Sequence, residues 1–428
     1  MRDPHILELS VTQRGFLFAE LRHPGSCNIA IEFHINGDLD PLAVRNGINS
    51  LTRQHDAFRL VIDRRGVRQR LLESVDMERV FEYLDHREAG PELTDADELF
   101  RYHAAPFPLG SPYLRARLVR LPGVTQFLLQ ITTNHLVFDG ASIPTLSREL
   151  IEFVGAAARG EVPDGKSPGS RFSDYVRSES RQLRTDASRA HRAFWRAELS
   201  GMSVLSMPSL DRADESALRH GDHGFVLVSP SGTAAARCAG LGREARATPF
   251  MVSVAAFAMA LHRVCGWDEV AFHLPTANRT EPELWAAIGA FATMVVLRLP
   301  CGHDLPTIIE ETKRRLGAAL AHQNLPYPEL LKALAPRDRQ VLVPGGRNPL
   351  VGISELPSPP GAAEHAGAEW RPSTRELSRA QGTYGVGYDL FLDSQTAAGQ
   401  VTWRVSYAAG VAPVARAVAD EMISCFEW

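Results

Sequence analysis

The chain has 428 residues, 44% of them hydrophobic and 22% charged, which implies a globular protein too long for one ordinary core and built as two domains. A formal net charge of −4 and an isoelectric point near 6.4 argue against a nucleic-acid partner, which would need a basic surface. No run approaches the roughly 20 apolar residues of a membrane span, and no signal-peptide pattern opens the chain. The five cysteines (Cys27, Cys238, Cys265, Cys301, Cys425) are scattered, without C-x-x-C spacing, and read as reduced thiols in a cytoplasm.

In chain order the pattern alternates α and β. Asp40 caps a helix with Pro41 at its first position and Val44, Ile48 and Leu51 turned inward. Gln126 to Thr133 alternates as a strand, with Phe127, Leu129 and Ile131 on one face and Leu128, Gln130 and Thr132 on the other. A helix follows, capped by Ser142, with Pro144 in its first turn and Ile143, Leu146, Leu150 and Val154 as its apolar stripe. Gly155 to Ser170 reads as a loop, and the domain boundary is placed at 175, giving domains 1–175 and 176–428. A helix with a small-residue apolar face is expected from about Phe250 to Arg263, and an exposed loop from Pro357 to Gly382.

Between the 126–133 strand and its helix stands Asn134-His135-Leu136-Val137-Phe138-Asp139-Gly140, a titratable imidazole followed by a carboxylate and a glycine. Strand parity puts His135 on the Phe127 face and Asn134 on the opposite one. A histidine and an aspartate four residues on are, by themselves, usually structural: a core histidine satisfied by a backbone carbonyl and an aspartate in a turn or a salt bridge. Metal-ligand spacing is absent among the 15 histidines, as is a phosphate-binding glycine loop, so the chain is expected to bind no metal or cofactor of its own.

That string, NHLVFDG, resembles the HHxxxDG motif of the condensation-domain family of nonribosomal peptide synthetases, within the chloramphenicol acetyltransferase-like superfamily; Asn134 departs from the usual first histidine. Further segments resemble family landmarks in the same order: Ser10 to Arg14, Arg53 to Arg59, Ala105 to Leu109 with Pro112 to Arg117, Phe172 to Tyr175, Phe194-Trp195, Pro275 to Arg279, Ile288 to Phe291, His322 to Tyr327, Arg347 to Leu350 and Tyr388 to Leu390. The resemblance implies an α/β fold, two-layered α+β in each half, as a V-shaped pair of acetyltransferase-like domains with an active-site tunnel between them.

The implied activity is transfer of an acyl group from the phosphopantetheine thioester of an acyl or peptidyl carrier protein to an amine or hydroxyl, carried by a small molecule or by a second carrier. His135 would accept the nucleophile's proton or hydrogen-bond it, since an unperturbed imidazole titrates near pH 6.5. Asp139 would pair with an arginine of the second half, for which the motif match names Arg279. Gly140 would let backbone approach the thioester and tolerate unusual dihedrals. Asn134, facing away, would bear on packing. A coenzyme A-dependent acyltransferase of the same fold and a non-catalytic recruitment module are the alternatives. No adenylation, reductase or carrier signature fits in this length, which leaves a free-standing enzyme or an excised domain.

Asn348 and Pro349 read as turn and packing elements, His322 and Gln323 as a helix start, and His55 as a helix-end cation suited to the dipole.

Overall fold

The computed structural model describes residues 5–63, 65–66, 68–85, 96–122, 126–161, 171–208, 223–356, 363–365, 367–372, 387–397 and 399–427. The chain forms two compact units. The first comprises Met1–Thr185, Ala277–Ala292 and Pro359–Thr383; the second comprises Asp186–Thr276, Thr293–Ser358 and Tyr384–Trp428. This division differs from the one expected at 175. The linear cut fails because two later segments bond into the first unit, one through a strand pairing and one through an ion pair.

The first unit is built on a six-stranded sheet in the order Ala363–His365, Ala368–Pro372, Asn28–Gly37, Gln126–Asn134, Leu114–Arg120 and Phe81–Asp85. All pairings are antiparallel except the last. One face carries Ile29, Ile31, Phe33 and Ile35 beside Phe127, Leu129 and Ile131, all buried. Against it pack helix α2 (Pro41–Gln54), through Val44, Ile48 and Leu51, and the Ile143–Ala158 helix, through Leu146, Leu150 and Val154. The opposite face carries a buried polar cluster. Gln130 accepts from Arg117 and donates to Glu32, whose carboxylate also meets His103. A buried charge on that face is tolerable because each one is paired and hydrogen-bonded.

Gly47 sits where the two helices touch. A Cβ there would lie 2.6 Å from Val154 Cγ2 and 3.0 Å from the Val154 backbone nitrogen. Helix propensity alone favours alanine by about 1 kcal/mol, but overpacking a rigid contact costs ~1–3 kcal/mol. Gly47→Ala is therefore expected to lower the urea midpoint, and an unchanged or higher midpoint would show that the helices can separate freely.

Two loop expectations are corrected. The Ile143–Ala158 helix continues through Gly155, because Val154 and Ala156 are still buried against the unit; residues 162–170 lie outside the described ones. Within 357–382 the described residues include the strands Ala363–His365 and Ala368–Pro372, the latter pairing with Asn28–Gly37 and burying Trp370 against Phe33. The rest of that loop expectation lies outside the described residues.

The second unit carries its own six-stranded sheet, in the order Thr293–Pro300, Glu269–Thr276, Val351–Leu356, Leu390–Ala397, Gln400–Ala408 and His223–Val228. The Pro249–Cys265 helix is buried nearly all round, its N-terminus capped by Thr248 and its end closed by Gly266 at φ 70°. Among the described residues no single helix is long and apolar enough to cross a membrane.

Candidate active site

The Gln126–Asn134 strand delivers the site. Its last residue, Asn134, lies on the polar face and is buried: its Nδ2 donates to Asn28 Oδ1 at 2.9 Å, and its Oδ1 accepts from the Leu136 amide at 3.0 Å. His135 follows, its backbone nitrogen bonded to the Cys27 carbonyl at 2.8 Å, so the turn is tied to the neighbouring strand. Leu136, Val137 and Phe138 then fill the core, which anchors the turn by burial. His135 is half-buried as a residue, and its ring stacks on Phe16, with centroids 4.8 Å apart and planes at 11°. Loss of water around the imidazolium drives the His135 pKa down to about 4, against the opposing pull of Asp139 and a backbone hydrogen bond at Phe138. The ring is neutral at physiological pH.

Asp139 is the most heavily bonded carboxylate of the site. Oδ1 accepts from Ser142 N at 3.0 Å, Ser142 Oγ at 2.8 Å and Arg279 Nη2 at 2.9 Å. Oδ2 accepts from Arg279 Nη1, Phe291 N and Ala292 N, each at 3.0 Å. The pair is bidentate and almost dry, with side chains 1% and 6% exposed. Asn278 adopts a left-handed backbone (φ 50°) just before Arg279 and ties its amide to the Phe291 carbonyl, while the guanidinium lies 4.8 Å over the Phe291 ring. Asp139 thus staples the 277–292 segment to the His135 turn.

Ser142 differs from its expected role. The helical path begins one turn early, as a 3-10 turn at Gly140–Ser142 that Asp139 caps. The Ser142 hydroxyl consequently makes no helix-cap bond and joins the Asp139–Arg279 cluster. Gly140 also departs from expectation, because its φ is not left-handed and a Cβ there would meet nothing within 4 Å. No dihedral at this position demands glycine; the open space beside it remains.

Helix α1 (Val11–Arg22) braces the turn from below. Ser10 and Gln13 form a reciprocal capping box, and Gln13 Nε2 donates to the Leu136 carbonyl at 2.7 Å. Glu20 accepts from Gly25 N, Cys27 N and, at 3.4 Å, Asn134 Nδ2. Sequence reasoning assigned no role to Gln13, Phe16 or Glu20. The S-x-x-Q capping pattern at Ser10 was readable; that it faces residue 136, 123 positions away, was not.

The family model described as Condensation domain matches residues 4–350, most of the chain. This chain belongs to the condensation-domain family. Enniatin synthase of Fusarium equiseti is 25% identical over 365 residues, covering 82% of this chain and 11% of that protein. A phosphinothricin tripeptide synthetase of Streptomyces viridochromogenes is 29% identical over 339 residues, covering 77% of this chain and 31% of that protein. The chain therefore spans only a minor part of the length of these curated relatives. The X-domain from teicoplanin biosynthesis has the same fold, with a TM-score of 0.80 at 20% identity, covering 100% of this chain and 96% of that one.

Several landmarks of this condensation domain have structural explanations. Asp56, in the Arg53 to Arg59 segment, accepts from the Phe172 and Ser173 amides and so caps the Phe172–Gln182 helix. His55 is buried and bonds Glu149 at 2.6 Å, a specific partner in place of a helix dipole. His322 ends the Leu305–Ala321 helix and does not start one; it stacks on Phe194 and meets His191 Nδ1 at 2.8 Å, all in the second unit. Asn348 bridges Ser203 O and Leu205 N, a packing role. Among the described residues no group of three or more His, Cys, Asp or Glu side chains is placed to hold a metal ion, and all five cysteines are free thiols.

The depressed His135 pKa has a stability consequence. Above about pH 6.5 the ring is neutral in the folded and unfolded chain alike, so it adds no pH dependence. As pH falls from 6.5 towards 4, only the unfolded chain takes up the proton, and stability drops by up to about 3 kcal/mol. His273 in the second unit, buried and also lowered to about 4 by desolvation, acts in the same direction. Urea midpoints measured from pH 8 to pH 4 should hold level down to about 6.5 and then fall. In His135→Gln the fall should be shallower.

Proposed function

We propose that this condensation domain is an acyltransferase that moves an acyl group from a carrier-protein phosphopantetheine thioester to an amine or hydroxyl, forming an amide or ester. The observation that supports this most directly is a neutral imidazole fixed just past a strand end and stacked on Phe16, four residues before the Asp139–Arg279 brace. The nucleophile's N–H or O–H donates to a ring nitrogen of His135. The nucleophile then attacks the thioester carbonyl, the tetrahedral intermediate collapses, the C–S bond breaks, and the proton ends on the departing thiol. A pKa near 4 makes His135 a weak base that shares the proton through a hydrogen bond and returns it readily, so orientation supplies much of the rate. The open side of Gly140 gives backbone access to the acyl carbonyl. Phosphopantetheine is substrate here, presented by an acyl or peptidyl carrier protein in the cytoplasm, and the chain itself needs no bound cofactor.

Asn134, where the family carries a histidine, favours one second reading: a recruitment module without turnover. The X-domain from teicoplanin biosynthesis, of similar fold, has been determined in complex with OxyB. Intact-mass measurement of an acyl-loaded holo carrier, incubated with a panel of amines and alcohols, separates the readings. Carrier-dependent unloading supports condensation. Equal turnover of soluble coenzyme A thioesters indicates a coenzyme A acyltransferase, and stable carrier binding without unloading supports recruitment.

A further inference from the structure

Three residues on one side of α1 contact three consecutive residues of the active-site turn. Gln13 holds the Leu136 carbonyl, Phe16 stacks on the His135 ring, and Glu20 reaches the Asn134 amide. Their spacing, three and then four residues, is the repeat of one helix face, so a rigid helix runs alongside the turn in the reverse direction. Gln13 and Glu20 are buried and fix backbone and strand end, while Phe16 is the member that meets the reacting ring itself.

We propose that Phe16 is a positioning residue for His135: α1 acts as a gauge that sets the plane of the imidazole and keeps water off one of its faces. Its catalytic importance rests on the acyltransfer reading above; the geometric part does not. A histidine's χ2 well is broad, so a ring with one free face samples many orientations. A parallel aromatic at 4.8 Å removes most of them and leaves the ring edge to address the nucleophile. The charge acting on the ring is Asp139, and Glu20 is bonded to the neighbouring Asn134. Both are engaged by several donors; a backbone hydrogen bond at Phe138 also reaches His135, and Phe16 supplies the apolar contact on the ring face.

The test uses the full chain, with histidine-labelled protein and the His135 signal assigned by its loss in His135→Gln. In the wild type the His135 ring protons should lie upfield, shifted by the Phe16 ring current. Phe16→Leu, which keeps apolar bulk but removes the ring, should abolish that shift. Phe16→Ala, which opens that face to water, should also raise the titration midpoint from about 4 towards the ordinary ~6.5. Phe16→Tyr should restore both. With hydroxyl acceptors Phe16→Leu should lower kcat by about ten- to hundredfold, with KM for the loaded carrier unchanged. An absent upfield shift in the wild type, an unchanged shift in Phe16→Leu, or an unchanged midpoint in Phe16→Ala overturns the proposal. Should His135→Gln retain full turnover while the Phe16 signatures appear as expected, the acyltransfer reading fails and the positioning stands.

Discussion

Asp139→Ala is expected to be the most destabilising single change in the site, with a loss of about 3–5 kcal/mol or slightly more in urea unfolding. The truncation leaves the Arg279 guanidinium 6% exposed without its bidentate partner, and deprives the Phe291 and Ala292 amides and the Ser142 hydroxyl of their carboxylate acceptor. Arg279→Ala should cost less, near the lower end of that range, because Asp139 keeps four donors from Ser142, Phe291 and Ala292. The double variant should cost clearly less than the sum of the two, since the charges are removed together. An Arg279→Ala protein more unstable than Asp139→Ala would contradict this ordering. Additive losses would mean that the pair contributes no coupling.

His135→Ala should leave stability at neutral pH nearly intact while removing roughly 10²–10⁴-fold of turnover with hydroxyl acceptors. With amines the loss should be smaller, because a neutral amine attacks a thioester without a base and positioning carries the rest. The pH profile of the wild type should lack a limb near 6.5. His135 is neutral from alkaline pH down to about 4, so any protonation loss of kcat belongs at that lower value. A clear limb at 6.5 in wild type that vanishes in His135→Ala would mean that substrate binding lifts the ring's proton affinity. Equal turnover by wild type and variant would end the histidine mechanism.

Local sequence was sufficient for what depends on neighbours in the chain. The alternation from Phe127 to Thr133 fixed the two faces of the strand, and with them the placement of Asn134 on the polar one. Asp40, Pro41 and the Val44, Ile48, Leu51 stripe defined α2 because caps and helical periodicity act within a few residues. The ordered landmarks pointed to the family, and the motif match pointed to Arg279 as the partner of Asp139. Tertiary structure decided what depends on residues far apart. The domain division departed from a cut at 175 because Ala368–Pro372 completes the first sheet through backbone bonds that carry no residue signature. Ser142 left its cap because the helical path starts early, at Gly140, and its hydroxyl meets Arg279, 137 positions away. His135 took its low proton affinity from burial, and its ring plane from Phe16, 119 positions upstream. Desolvation and stacking arise only when distant surfaces meet, and no period or motif in one chain encodes their distance.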